Sequence, residues 1–261
     1  ESLGVSTSTA VRVCLFSAGL WWALFTLVPL RALRDVAPAA SANPDATVSS
    51  AFAQLGRTLR ALRRTPMTLR FLVAYLVYND GVQTVIVLAS VYGSEELGFG
   101  DQTLIVAVLI VQVVAIAGAL ALGRLAGRFG AKRVVLGSLV VWAAIVAVAF
   151  VLPAGRASLF YLLAVVIGFV LGGSQALSRS LFSQMVPDGR EAEYFGLYEI
   201  SERGTSWIGP IVFGVVDQVT GSYRLAILAL LAFFVVGGGL LSRVDVRRAV
   251  AEAGNEAPAV V

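Results

Sequence analysis

About seven stretches of this chain stay apolar for roughly twenty residues each, and the arginines gather in every second gap between them. A run of that length crosses the ~30 Å hydrocarbon core of a bilayer as a helix. The chain therefore reads as an all-α integral membrane protein of about seven transmembrane helices. The same pattern makes each charge left inside an apolar run informative. A charge in hydrocarbon costs about 3 kcal/mol or more without a partner or water.

Composition narrows the function classes. Hydrophobic residues make up 58% of the chain and charged residues 14%, with a mean hydropathy of +0.84. An ordinary soluble domain is about 25% charged. The net charge of +4 sits mostly between the apolar runs. That distribution fits a positive-inside membrane topology and gives no reason to expect a nucleic-acid partner. Lys132 is the sole lysine, a bias toward arginine that points to a GC-rich bacterial genome. Cys14 is the sole cysteine, so no internal disulfide can form. Histidine is absent, which removes the usual proton relay, metal ligand and base for a serine nucleophile. No cofactor and no metal are implied. An intramembrane enzyme is disfavoured, because Asp80 is the only aspartate deep in a run and Asp217 lies at an outer edge. Lys132 stands in Gly-Ala-Lys-Arg-Val and not in a phosphate loop, so ATP coupling is not carried by these residues.

The runs are expected at 11–28, 69–92, 104–122, 134–152, 159–185, 195–216 and 225–241. Pro29 is expected to end the first. Residues 31–65 form the one long polar segment. There Phe52, Leu55, Leu59 and Leu62 share one helical face, and Arg57, Arg60 and Arg64 the opposite one. This helix either lies on an anionic inner leaflet or packs against the other helices. The gap at 93–102 holds Glu95, Glu96 and Asp101 and no base, while 123–133 holds Arg124, Arg128, Lys132 and Arg133. The polar segment, the 123–133 gap and the residues beyond 242 are therefore expected in the cytoplasm, with Glu1 outside. The chain starts at Glu1, almost directly before a run, and is expected to be the C-terminal part of something longer.

Two helices carry polar stripes. Tyr75, Tyr78, Asn79 and Gln83 line one face around Asp80, which lies near the middle of its run. Ser174, Gln175, Ser178 and Arg179 do the same on a later helix made pliable, or closely packable, by Gly168, Gly172 and Gly173. Such stripes face protein or water rather than lipid. The residues are candidates for a substrate or proton pathway. Asp80 could equally bond a loosened backbone, and the glycines could serve packing alone. Glu199, Glu202, Arg203 and Arg179 are expected to form an inner charge network or gate. In it Glu199 pairs with Arg203 one turn away and Glu202 meets Arg179. Gly209-Pro210 is expected to loosen its helix.

The segment Gly123-Arg124-Leu125-Ala126-Gly127-Arg128-Phe129-Gly130-Ala131-Lys132-Arg133 resembles the signature loop of the major facilitator superfamily. Gly123, Arg128, Gly130, Lys132 and Arg133 match, and Gly127 replaces the family's aspartate. Two longer stretches are similar to the branch related to the fungal vacuolar amino-acid effluxer of autophagy. They are Tyr75-Leu76-Val77-Tyr78-Asn79-Asp80-Gly81-Val82-Gln83-Thr84 and Gly172-Gly173-Ser174-Gln175-Ala176-Leu177-Ser178-Arg179-Ser180-Leu181-Phe182. The second continues through Phe195-Gly196 to Ser206-Trp207-Ile208-Gly209-Pro210.

The resemblance implies helices six to twelve of a twelve-helix fold. Residues 1–30 would close the N-terminal half, and 31–66 would be a cytoplasmic linker. Residues 67–242 would form a six-helix bundle of two inverted three-helix repeats, about 67–152 and 157–242. Residues 243–261 would be a cytoplasmic tail. Interrupted helices at matching positions of inverted repeats mark a transport site, and the Asp80 and Gly172 helices are the expected pair. The resemblance further implies a secondary active transporter in a bacterial cytoplasmic membrane. Its partners would be the lipid bilayer, a small solute such as an amino acid, protons, and the missing N-terminal helices. A non-transporting receptor or scaffold that kept the fold is the alternative.

Overall fold

The computed structural model describes residues 7–32, 56, 58–60, 62–204 and 206–256. Its regular structure is all helix, with no strand among the described residues, as expected of an all-α multi-pass membrane protein. The chain falls into two units, Glu1–Ala46 and Thr47–Val261.

The described part of the first unit is one helix, α1 (Thr7–Ala32), with Pro29 inside it. The proline does not end the helix, contrary to expectation. Pro29 lies in the last turn, where its missing N–H removes a single bond.

In the second unit the helices are α2 (Pro66–Glu95), α3 (Asp101–Phe129), α4 (Ala131–Val151), α5 (Ala157–Ser183), α6 (Glu191–Arg203), α7 (Ile208–Thr220), α8 (Tyr223–Ala229), α9 (Leu231–Ser242) and α10 (Val246–Glu252). Their ends follow local chemistry. Pro66 opens α2, where its fixed φ suits the first helical position. Gly130 adopts a φ of 89° between α3 and α4, a backbone state that costs glycine little. Residues 123–133 are therefore two helix ends joined at Gly130 rather than a loop. Ser222 caps α8 through Leu225 N, and Asp245 caps α10 through Arg248 N.

Six helical runs among the described residues are long and apolar enough to cross a membrane, with α8 and α9 counted as one. The run expected at 195–216 is instead two 13-residue helices, α6 and α7, broken between Arg203 and Ile208. Pro210 falls in the first turn of α7, where a missing N–H is harmless. The interruption thus lies here, while the Asp80 and Gly172 helices run unbroken.

The most extensive interface joins α3 to α5, and glycine makes it. A Cβ on Gly172 would run into Ala115 O, one on Gly118 into Phe169 O, and one on Gly168 would lie 2.6 Å from Val111 O. Small residues at that spacing let two backbones touch, which drives association where lipid offers no hydrophobic contrast. The packing role of Gly168 and Gly172 is the one realised. Helix α2 packs on α9 in the same way, with Tyr78 against Gly237 and Phe233 against Gly81.

The ends of the bundle are tied by residues distant in sequence. At one end Arg224 pairs with Glu96 at 2.6 Å and donates to Phe150 O and Leu152 O at 3.0 and 3.1 Å. At the other, Lys132 Nζ donates to Ser242 O and Val244 O at 2.9 and 2.7 Å. There the residues expected as a tail are folded onto the bundle. Val246, Ala249 and Val250 are buried, Glu252 accepts from Met67 N, and Asn255 donates to Gln184 O and Val186 O. Of the amphipathic segment, Phe52, Leu55 and Arg57 lie outside the described residues. Leu62 and Thr58 are buried, and Thr58 donates to Glu193 at 3.0 Å. That end packs on the bundle. Leu59 stays exposed.

Candidate functional site

Asp80 sits at the centre of α2. The 30 residues of that helix place it about 21 Å from either end at ~1.5 Å per residue. It is 1% exposed, and neither carboxylate oxygen has a hydrogen-bond partner. The element facing it is the α6–α7 break. The amide of Gly209, in the first turn of α7, lies beside the carboxylate without completing a bond to it. Gly209 is seated against Thr84, whose Oγ1 a Cβ would strike. Thr84 Oγ1 is itself committed to Asp80 O at 2.7 Å. The N-cap residue Trp207 makes no side-chain bond to α7, and the positive end of that helix's dipole lies at the carboxylate through Gly209.

The break is shaped by its own side chains. Ser206 Oγ donates to Glu202 O at 2.8 Å, and Trp207 Nε1 donates to Gly204 O at 3.0 Å. Asn79 Nδ2 reaches the same Glu202 O at 3.4 Å. Two donors thus hold the carbonyl at the end of α6, level with Asn79. Glu202 therefore lies at nearly the depth of Asp80, deeper than its position in the sequence suggests.

Toward the end of the bundle that carries Lys132, the stripe on α2 becomes aromatic. Tyr75 stacks on Tyr198 of α6 with centroids 4.4 Å apart and meets Tyr78 edge-on at 5.4 Å. Tyr78 and Ser178 hydroxyls are 2.7 Å apart. Ser178 gives its proton to Ser174 O at 2.6 Å, so Tyr78 is the donor to Ser178. Ser174 Oγ donates to Leu171 O at 3.2 Å and accepts from Trp142 Nε1 at 3.5 Å. The predicted stripes of α2 and α5 therefore meet, through Tyr78 and Ser178. Tyr75, Tyr78, Asn79, Asp80, Ser174 and Ser178 are buried, while Gln83 and Gln175 are half-buried.

The charge network differs from the expected one. Glu199 lies between two arginines, 3.3 Å from Arg179 and 3.4 Å from Arg203. Arg179 also lies over the Phe195 ring at 5.4 Å. Glu202 does not meet Arg179: Glu199, one turn earlier on α6, takes that place. The side chains are open, with Arg179 58%, Glu199 40% and Arg203 83% exposed. Sequence reasoning missed the Arg224–Glu96 tie, because the partners are 128 residues apart and the 217–224 gap looks nearly neutral. It also missed Tyr198, the ring that covers Tyr75, because helical spacing within one run does not say which ring of another helix it meets. The signature residues play mixed parts. Lys132 holds the end of α9 and Gly130 turns the chain, while a Cβ added at Gly123 or Gly127 would meet nothing within 4 Å. Among the described residues Arg133 reaches only Phe129 O, at 3.5 Å.

Several known proteins are similar to this chain. Residues 2–254 match the family described as "Vacuole effluxer Atg22 like". A Bacillus subtilis (strain 168) protein described as an uncharacterized MFS-type transporter, YxiO, is 33% identical over 237 residues, which cover 91% of this chain and 54% of that protein. Autophagy-related protein 22 of Cryptococcus neoformans var. neoformans serotype D (strain B-3501A) is 30% identical over 269 residues, covering 97% of this chain and 49% of that protein. The chain spans about half the length of the curated relatives it matches. The match runs through both polar helices, the break and the signature segment, and on that extent the chain belongs to the Atg22-like vacuole effluxer family, a branch of the major-facilitator-type transporters.

Proposed function

We propose that this chain forms the second half of a secondary active transporter of small solutes, with amino acids as the substrate class and protons as the coupling ion. The observation that carries the reading is Asp80, buried at mid-helix, without a hydrogen-bond partner on either oxygen, and facing the N-terminus of α7. A carboxylate desolvated at such depth is costly to keep ionised, and uptake of a proton or cation during a working cycle relieves that cost. A broken helix beside it presents a helix N-terminus, whose positive dipole end suits the carboxylate of a solute. The open charges of Arg179, Glu199 and Arg203 then face a water-filled cavity shared with the N-terminal helices of the same protein. Gln83 and Gln175 line its wall. A receptor or scaffold would have no use for an unsatisfied carboxylate at that depth.

The test is Asp80→Asn in the full-length protein, with accumulation and counterflow exchange measured side by side across a pH series at matched membrane level. Accumulation driven by a proton gradient is expected to disappear. Counterflow, which needs no net proton movement, is expected to survive in part. Accumulation that keeps the parent's level and pH dependence would overturn the role of Asp80. The orientation proposed, in a bacterial cytoplasmic membrane, has the Lys132 end inside and the Glu96 end outside. A cysteine at Ala131 labelled by an impermeant thiol reagent in intact cells, in a Cys14→Ser background, would reverse it.

A further inference from the structure

Away from Asp80, α4 lines two depressions that share Arg133. One is a polar hollow of about 620 Å³ between the start of α4 and the segment that leads into α10. Lys132, Arg133, Arg243 and Arg247 line this hollow, against a single carboxylate, Asp245. That carboxylate already accepts Arg248 N at 3.1 Å, and Lys132 is bound to two carbonyls. Arg133, Arg243 and Arg247 enter no ion pair among the described residues. Three guanidinium groups are thus left for an anion.

Arg133 also lines an apolar groove of about 700 Å³ between α3, α4 and α5, which runs along Gly137 and Val141. From Arg133 to Val141 the helix rises about 12 Å at ~1.5 Å per residue. That is close to one leaflet of a ~30 Å hydrocarbon core. Gly137 keeps the groove open, since a Cβ there would meet nothing within 4 Å. Phe129 and Phe169 form its sides and are exposed.

We infer that the hollow and groove bind one anionic phospholipid of the adjacent leaflet. Its phosphate lies on Arg133, Arg243 and Arg247, and an acyl chain runs along Gly137 and Val141. Guanidinium groups match phosphate oxygens in geometry as well as charge, and basic pockets at the inner ends of membrane helices take anionic headgroups. A free phosphate would satisfy the hollow and leave the groove unused. Arg133 belongs to both, so the occupant is one with a charged head and an apolar tail. This inference stands whether or not the chain transports.

The test uses the full-length protein in detergent, titrated separately with phosphatidylglycerol, phosphatidylcholine and inorganic phosphate and read by native mass spectrometry. Phosphatidylglycerol is expected to bind at least about tenfold more tightly than phosphatidylcholine, and millimolar phosphate is expected not to displace it. Replacing Arg133, Arg243 and Arg247 together by glutamine should bring phosphatidylglycerol down to the phosphatidylcholine level. Gly137→Phe, which fills the groove without touching the basic residues, should lower phosphatidylglycerol retention while thermal unfolding stays unchanged. Equal binding of the two lipids would overturn the inference. So would displacement by phosphate, or retention unaffected by Gly137→Phe.

Discussion

The α3–α5 contact and the contact of α2 with α6 and α7 are both helix interfaces of one bundle, and they are built on opposite principles. Between α3 and α5, glycines bring backbone against backbone: Gly172 onto Ala115, Gly118 onto Phe169, Gly168 onto Val111. Nothing there can move without opening a void, since packed interiors tolerate little volume change. Between α2 and α6–α7 the contact is made by tyrosine rings, a shared carbonyl and a carboxylate that has no partner. One of the two elements is broken where it passes Asp80. Close backbone packing fixes a geometry. On the proposed function, the side-chain contact around the broken helix is the one that changes between two geometries, with Asp80 as the group whose state biases them.

The contrast predicts where a single methyl or larger group is fatal. Gly172→Leu should have the largest effect, because the obstruction is backbone and cannot rotate away. A loss of about 3 kcal/mol or more is expected, at the upper end for overpacking. It would be read as loss of monodisperse protein on gel filtration. Gly214→Leu is the control, since a Cβ at Gly214 meets nothing within 4 Å. Equal yields for the two variants would break the claim that α3 and α5 form the rigid pair.

Gly209→Ala should cost less. Its Cβ strikes Thr84 Oγ1, a side-chain atom, with Thr84 Cβ at 2.8 Å behind it. About 1–2 kcal/mol is expected. Thr84→Ala in the same chain should restore about half, a coupling of at least ~0.5 kcal/mol in a double-mutant cycle of thermal unfolding. Additive effects would mean that α7 does not sit on α2 as described.

Much of this is legible in the sequence, and the parts that are not share a cause. The apolar runs, the sorted arginines, the glycine spacing at 168 and 172, and the central depth of Asp80 all follow from local pattern, because bilayer thickness fixes helix length. The break between α6 and α7 does not. Pro210 and the polar stretch from Glu199 to Ser206 mark the region, but neither pattern says at which residue the backbone bonds of the helix are lost. Arg179 choosing Glu199 over Glu202 depends on the rotation of α6 against α5, which tertiary packing sets. The Arg224–Glu96 tie and the seating of Asn255 on the end of α5 join residues far apart in the chain, and neither lies in a pattern that periodicity reads. Helical spacing groups the Asp80 stripe, yet its meeting with Ser178 follows only from the packing of α2 on α5.

The smallest effect is expected from Arg203→Gln, and it decides what covers the movable side. Arg203 is bound to Glu199 at 3.4 Å and is 83% exposed. It is the last residue of the 13-residue α6, about 18 Å from that helix's start at ~1.5 Å per residue. A charge at that depth is tolerable in two settings. If water fills a cavity along α6, the ion pair is screened and Glu199 keeps Arg179. Removing Arg203 should then cost under about 0.5 kcal/mol, as for other exposed pairs, and the thermal midpoint of the full-length protein should stay within about 2 °C of the parent's. If protein or lipid seals that face, Glu199 loses a partner in a dry environment and the cost should reach about 3 kcal/mol or more. Thermal unfolding of the two proteins in the same detergent and lipid separates these cases. A small shift keeps the side facing α6 as a wet, movable surface opposed to the dry α3–α5 seam. A large one makes both interfaces structural and removes the physical ground for the comparison.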